Sequence, residues 1–401
     1  MTYADPGFRF FSRWLSVVAA LLAAFVLAGC ASQRLAAANR SAVPFDDAIA
    51  YATDALVQQS QLTGGLMARL NKRQIVLDPT LDAGTGQQTA ATQHLDQAVT
   101  QRVTRNFEQI EVLPFRAANL SRAQYLLTGT LTRAEADYRL NLALVDLKTG
   151  VMAAQSSALV LAEGVDMSPM AYYRDSPVLV KDKIIDGYVR TSATAAGQKA
   201  DPIYLERIAA ATVINDATVH YNAARYEEAL GQYRSALATP AGDQIRVLNG
   251  IYLSSVKLGH MKEAEEAFGR VVAFGMAYNE LGVKMLFNPG STDFWSDPSV
   301  SGVYGMWLRQ IAREGESAKA CMNIIGHTSR TGTANYNDAL ALKRATYVRQ
   351  RLGMEDAHVA SRARVEGMGF RQNIVGSGTD DGVDALDRRV EFRIVPCDGP
   401  A

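Results

Sequence analysis

Residues 324–352 read IIGHTSRTGTANYNDALALKRATYVRQRL. The apolar pair Ile324-Ile325 breaks at Gly326 into a polar loop, and Asn337 to Leu352 reads as a helix, so the stretch is a strand, a loop and a helix. The alternation continues outward on both sides. Strands are expected at Val283–Phe287, Cys321–Gly326, Arg364–Gly369 and Val390–Val395, with a further helix at Val303–Arg313. The order over 280–397 is strand, helix, strand, helix, strand, strand, a βαβαββ module.

Three segments of this module carry a family resemblance: the stretch above, VEGMGF at 365–370 and ALDRRVEFRI at 385–394. Together they resemble the OmpA-like peptidoglycan-binding domain. The resemblance implies a ligand, the diaminopimelate of a cell-wall stem peptide, which carries an ammonium and a carboxylate on one carbon. A receptor for that pair needs a carboxylate beside an Arg fork, with backbone N–H donors. In the family an Asp of the GHTD loop takes the ammonium and an Arg of the next helix takes the carboxylate. Thr328, Asn337 and Arg344 match that pattern, but Ser329 occupies the Asp position. A hydroxyl does not replace a carboxylate electrostatically. A charge-assisted bond is worth about 1.5–3 kcal/mol, so its loss weakens binding roughly ten- to hundredfold. Asp387, where the family has Asn, and also Asp293, Asp380 and Asp381, are the acids of the module that can supply the missing charge. Arg388 is assigned to the site over Arg389, and strand alternation lets only one of them face it. The other reading of Arg344 is an exposed helix arginine paired with Asp338 or Glu366. If the second and last strands are antiparallel neighbours, as in the family, Cys321 and Cys397 meet and form a disulfide.

The N-terminus carries a different signal. Arg9 and Arg13 precede an apolar stretch from Leu15 to Leu27 broken only by Ser16. At 1.5 Å per residue it reaches about 20 Å, short of the ~30 Å hydrocarbon core, so residues 1–29 read as a signal peptide. The stretch closes in Leu27-Ala28-Gly29-Cys30, which resembles the lipobox of bacterial lipoproteins and implies that Cys30 carries the lipid. Ala31 and Ser32 follow, and the absence of Asp there favours the periplasmic face of the outer membrane. The oxidising periplasm also suits a disulfide. The whole chain has 41 basic and 41 acidic residues. Removing 1–29 takes away Arg9, Arg13 and Asp5, and leaves 39 against 40, so membrane attachment rests on lipid and not on a basic surface.

Between these ends, 30–44 reads as a lipidated flexible tether. Residues 45–165 interleave helices with strands and close in a meander, an α/β domain that resembles curli-secretion-type lipoproteins in element order. Residues 166–202 read as a crossover and linker rich in Ser, Ala, Thr and Gly. Residues 203–277 carry two helical hairpins in which Ala229 and Ala264, then Tyr233 and Phe268, recur at 35 residues, near the ~34-residue tetratricopeptide period. They resemble such repeats, capped by the extra helix Tyr204–Ala211 or by a neighbouring domain. The fold class is therefore multidomain α+β.

Zero net charge and no basic run longer than a pair argue against a nucleic-acid partner. The five His and three Cys match no zinc spacing. Gly84-Thr85-Gly86 lacks the lysine of a phosphate loop, and no catalytic motif or cofactor site stands out. Trp295 and Trp307 are expected in a core. The expected partners are peptidoglycan, the outer membrane through the lipid, and an envelope protein at the repeats. The alternative is an accessory subunit of an outer-membrane secretion or assembly complex with weak or lost wall binding.

Overall fold

The structure is a computed structural model that describes residues 41–60, 62, 72–178, 181–239, 241–278, 281–374, 376, 378–380 and 384–397. The signal peptide, Cys30, most of the tether and Asp381 lie outside the described residues.

The first unit is a mixed sheet with a helical layer on each face. Helix α1 (Phe45–Ser60) buries Phe45, Ile49, Ala52 and Leu56 at helical spacing. The strands are β1 (Arg73–Leu77), β2 (Leu81–Asp82), β3 (Ile110–Pro114), β4 (Tyr125–Ala134), β5 (Asp137–Asp146) and β6 (Met152–Val160). Helix α2 (Ala90–Asn106) starts in a reciprocal capping box between Thr89 and Thr92 and packs with α1 on one face. A single turn, α3 (Ala117–Leu120), precedes β4. The sheet order is β3-β1-β4-β5-β6, with β2 beside β4. Strand β1 is parallel to β3 and β4, and β4 to β6 form the antiparallel meander.

The opposite face is covered by the stretch that reads as a linker. Residues 166–202 form α4 (Ala171–Asp175) and α5 (Lys183–Ala193). Asp182 caps α5 by accepting from the Ile184 and Ile185 amides. Ile185 and Tyr188 then pack on Val76, Leu126 and Ala143. The Tyr188 hydroxyl contacts the Pro79 and Gly129 carbonyls, each at 2.9 Å. Those bonds close over more than fifty residues of sequence, so local composition does not show them.

Helix α6 (Pro202–Asn222) is one helix of 21 residues where a cap and a repeat helix are expected. Its first half places Tyr204 and Ala211 on the sheet, and its second half places Ile214, Ala217 and Tyr221 in the next layer. The continuous apolar and small-residue run lets one element serve both cores. Helices α7 (Tyr226–Leu237), α8 (Ile245–Lys257) and α9 (Met261–Tyr278) complete two hairpins. The approach is close enough that a Cβ on Gly250 would stand 2.4 Å from the Tyr233 ring, so the glycine admits the ring.

The C-terminal unit runs β7 (Lys284–Leu286), α10 (Pro298–Ser301), α11 (Tyr304–Ser317), β8 (Cys321–Gly326), α12 (Ala334–Glu355), α13 (Ala357–Ser361), β9 (Ala363–Gly367) and β10 (Arg389–Val395). Its sheet order is β7-β10-β8-β9, with β10 antiparallel to β7 and β8, and β9 parallel to β8. Val395 registers with Cys321, which brings Cys321 and Cys397 into a disulfide with Cα atoms 5.2 Å apart.

No gap separates this unit from the hairpins. Phe268 of α9 stacks on Trp307 of α11 at 5.3 Å, and the Trp307 indole donates to the Tyr252 hydroxyl at 2.8 Å. Gln310 donates to Glu265 at 2.9 Å. One hydrophobic core runs through both. Among the described residues no helix is long and apolar enough to cross a membrane.

Candidate functional site

The site sits where β8 ends. Gly326 allows the strand to pass under α12, because a Cβ there would lie 1.9 Å from the Ala341 carbonyl oxygen. The loop that follows is fixed from both sides. The Thr328 amide donates to Gly369 O at 2.9 Å, and the Asn337 side-chain amide donates to Thr331 O and Thr333 O at 2.9 and 3.0 Å. Asn337 is thus a positioning residue. Thr328 Oγ1 is buried without a hydrogen-bond partner among the described residues.

Ser329 does not stand alone. Its hydroxyl donates to Asp380 Oδ1 at 2.5 Å, and Thr331 donates to Asp380 Oδ2 at 2.5 Å. Asp380 comes from the β9–β10 connection, 51 residues downstream, and adopts a left-handed φ of 56°. Its amide donates to Asp384 at 3.1 Å. Arg388 adds an ion pair to Asp380 at 3.2 Å. Partial burial alone would raise the Asp380 carboxyl, but the Ser329 and Thr331 hydroxyls and the Arg388 guanidinium outweigh it and hold it below the usual carboxylate range. The chain therefore carries an ionised carboxylate against the loop position where it lacks an Asp. The side chain keeps 31% of its surface exposed, enough to meet a ligand.

The two arginines assigned to the site are placed differently from the sequence reading. Arg344 is fully buried, so it is neither a solvent-facing fork nor an exposed helix arginine paired with Asp338 or Glu366. Its three nitrogens donate to Ser291 O, His327 O and Asn288 O at 2.9, 3.0 and 2.9 Å, tying the β7–α10 and β8–α12 loops together. Burial, with Arg388 nearby, lowers its pKa to about 10. Arg388 is 1% exposed, donates to Phe287 O at 3.3 Å and lies over the Trp295 ring at 5.4 Å. Arg389 is buried as well, and pairs with Glu391 at 3.1 Å. Strand alternation separates their directions without bringing either to the surface.

Asp387 is fully buried, and its carboxylate accepts from the Ile374 and Gly376 amides at 2.5 and 2.6 Å. It organises the β9–β10 connection and is not presented to a ligand. Asp293 holds its own turn through Ser291 at 2.7 Å. Asp338 pairs with Arg371 at 2.7 Å. Of the weighed acids that the structure describes, Asp380 alone reaches Ser329. Arg330 is exposed on the same loop and close to Gly376, and it occupies no position of the family's motif that would single it out in the sequence. Trp307 is in the core, whereas Trp295 is half-buried beside the site.

Residues 286–385 match the sequence model of the OmpA family, and the C-terminal module is an OmpA-like domain. Among solved structures, the peptidoglycan-associated lipoprotein from Burkholderia pseudomallei is similar, with 26% identity and a TM-score of 0.24, over 28% of this chain and 89% of that one. The cell wall anchor of the T6SS from Pseudomonas aeruginosa shares 23% identity with a TM-score of 0.23, over 28% and 79%. The periplasmic domain of Helicobacter pylori MotB shares 17% with a TM-score of 0.23, over 29% and 76%. No curated protein matches the chain.

Proposed function

We propose that the chain is an envelope protein that binds peptidoglycan non-covalently through its OmpA-like domain, with Asp380 as the acceptor for the ammonium of diaminopimelate. The observation that carries this reading is the Asp380 carboxylate seated on the Ser329 and Thr331 hydroxyls. The family match supports it, as does the similarity to a peptidoglycan-associated lipoprotein and to a cell wall anchor. With Arg344 committed to three carbonyls, the exposed Arg330 is the guanidinium that meets the ligand's carboxylate. In this reading Cys30 carries lipid in the outer membrane, and the helical hairpins, as tetratricopeptide-like repeats, hold an envelope protein. The chain is then a tether without catalytic activity.

The test is co-sedimentation of the full chain with two purified walls, one with diaminopimelate and one with lysine in the stem peptide. Lysine keeps the ammonium and lacks the carboxylate. The expected result is retention on the first wall and weaker retention on the second, roughly tenfold or more for a lost charge-assisted bond. Absence from both pellets contradicts the reading.

A further inference from the structure

Behind the sheet edge formed by β7 lies a cleft of about 710 Å³, within the usual size range of small-molecule sites. Three regions wall it: the crossover around Ser168–Ser176, helices α6 and α8, and the OmpA-like domain from Lys284 to Tyr304 with Leu386. It is separate from the Asp380 site, although Trp295 borders both.

The cleft is unusual in its hydrogen-bond inventory. Lys284 is 3% exposed, and its ammonium has one long contact, to Tyr173 O at 3.4 Å, with no ion-pair partner among the described residues. An ammonium has three N–H donors, and a buried cation without a counter-ion is costly. Burial, with Arg389 adding to it and Asp175 opposing, lowers its pKa to about 8, so it is still mostly protonated at neutral pH. Two tyrosines add to the surplus of donors. Tyr304 Oη accepts from the Leu286 amide at 3.0 Å, and Tyr252 Oη accepts from the Trp307 indole at 2.8 Å. The hydrogen of each hydroxyl has no acceptor among the described residues. The acidic wall residue Asp175 is already engaged by Tyr221 and Lys257, each at 3.0 Å, and Asp297 caps the Ser299 amide at 2.9 Å. The lining thus offers donors and a positive charge, beside the aromatic side chains of Trp295, Tyr304 and Trp307.

We infer that this cleft is a binding site for an organic carboxylate with an apolar or ring-shaped body, its carboxylate paired with Lys284. The inference does not rest on the wall-binding reading, because none of the cleft's donors belongs to that site. The same chemistry is found in a sugar acid and in a peptide with a free C-terminus. Tryptophan fluorescence of the full chain distinguishes the two, since Trp295 and Trp307 line the cleft. One arm compares N-acetylmuramic acid with N-acetylglucosamine, which lacks the carboxylate. The other compares acetyl-D-alanyl-D-alanine with its C-terminal amide. A saturable signal from at least one acid, roughly ten- to hundredfold weaker with its neutral partner, is expected and names the source. The same loss is expected for that acid on Lys284→Met. No signal from either acid, equal binding of acid and neutral partner, or unchanged binding by a folded Lys284→Met overturns the inference. The ligand pairs use the unmutated chain, so the outcome stands even if the variant does not fold.

Discussion

Asp78 shows how one buried group fixes a pH response. It lies between the sheet and α6, where its carboxylate accepts from the Tyr204 hydroxyl at 2.5 Å. Burial pushes its pKa up to about 7, against a bond from Tyr204 and the field of Arg246 that lower it. A folded-state pKa above the ordinary 3.8 means that the folded chain binds this proton more tightly than the unfolded one. The contribution to stability is therefore greatest at low pH and is lost as pH rises from the usual carboxylate range towards 7. Urea unfolding between pH 5.5 and 7 should show a falling contribution of about 1 kcal/mol per pH unit from this group. Burial also raises Asp96, bonded to Thr80, to about 7, so Asp78→Asn should reduce the total slope and leave the share of Asp96. At the same scale, Thr328, Ser329, Asn337 and Arg344 were legible as one neighbourhood from the family resemblance. The roles of Arg344 and Asp387 were not, because the carbonyls that hold Arg344 lie 17 to 56 residues away and the amides that hold Asp387 lie 11 and 13 residues away, all in loops without periodicity.

The elements of the C-terminal module follow from the sequence closely. The strand at Cys321–Gly326 has the bounds its apolar run and glycine set, and β10 begins one residue before the expected Val390. What escaped was the β9–β10 connection, which has no periodicity and is built by carboxylates. Asp384 and Asp387 accept from the amides of Gly378, Asp380, Ile374 and Gly376, and so aim Asp380 at Ser329. The disulfide acts on the same unit by closing a sequence separation of 76 residues. Replacing Cys321 and Cys397 together by Ser should cost about 2–4 kcal/mol, read as a lower denaturation midpoint, while unchanged stability would show that the strand register alone holds these ends.

In the whole molecule the hairpins and the OmpA-like domain share one core, although their sequence patterns read as separate modules. Amphipathic periodicity shows that a helix has a buried face, but not which neighbour covers it. Here Phe268 and Tyr252 of the hairpins are covered by Trp307 of the next module. Trp307→Ala should therefore lower the stability of both by about 3–5 kcal/mol, with hydrogen exchange rising in α8 and α9 as well as in α11. Faster exchange confined to α11 would show two independent units. The same coupling makes the full chain, and not an excised C-terminal piece, the right object for binding work. The most direct measurement of the central claim moves the charge within that full chain. Peptidoglycan co-sedimentation should fall roughly ten- to hundredfold for Asp380→Ser and recover when Ser329→Asp is added to it, since the carboxylate is returned to the same spot from the other loop. Binding by Asp380→Ser equal to the unmutated chain, or no recovery in the folded double variant, would contradict the account.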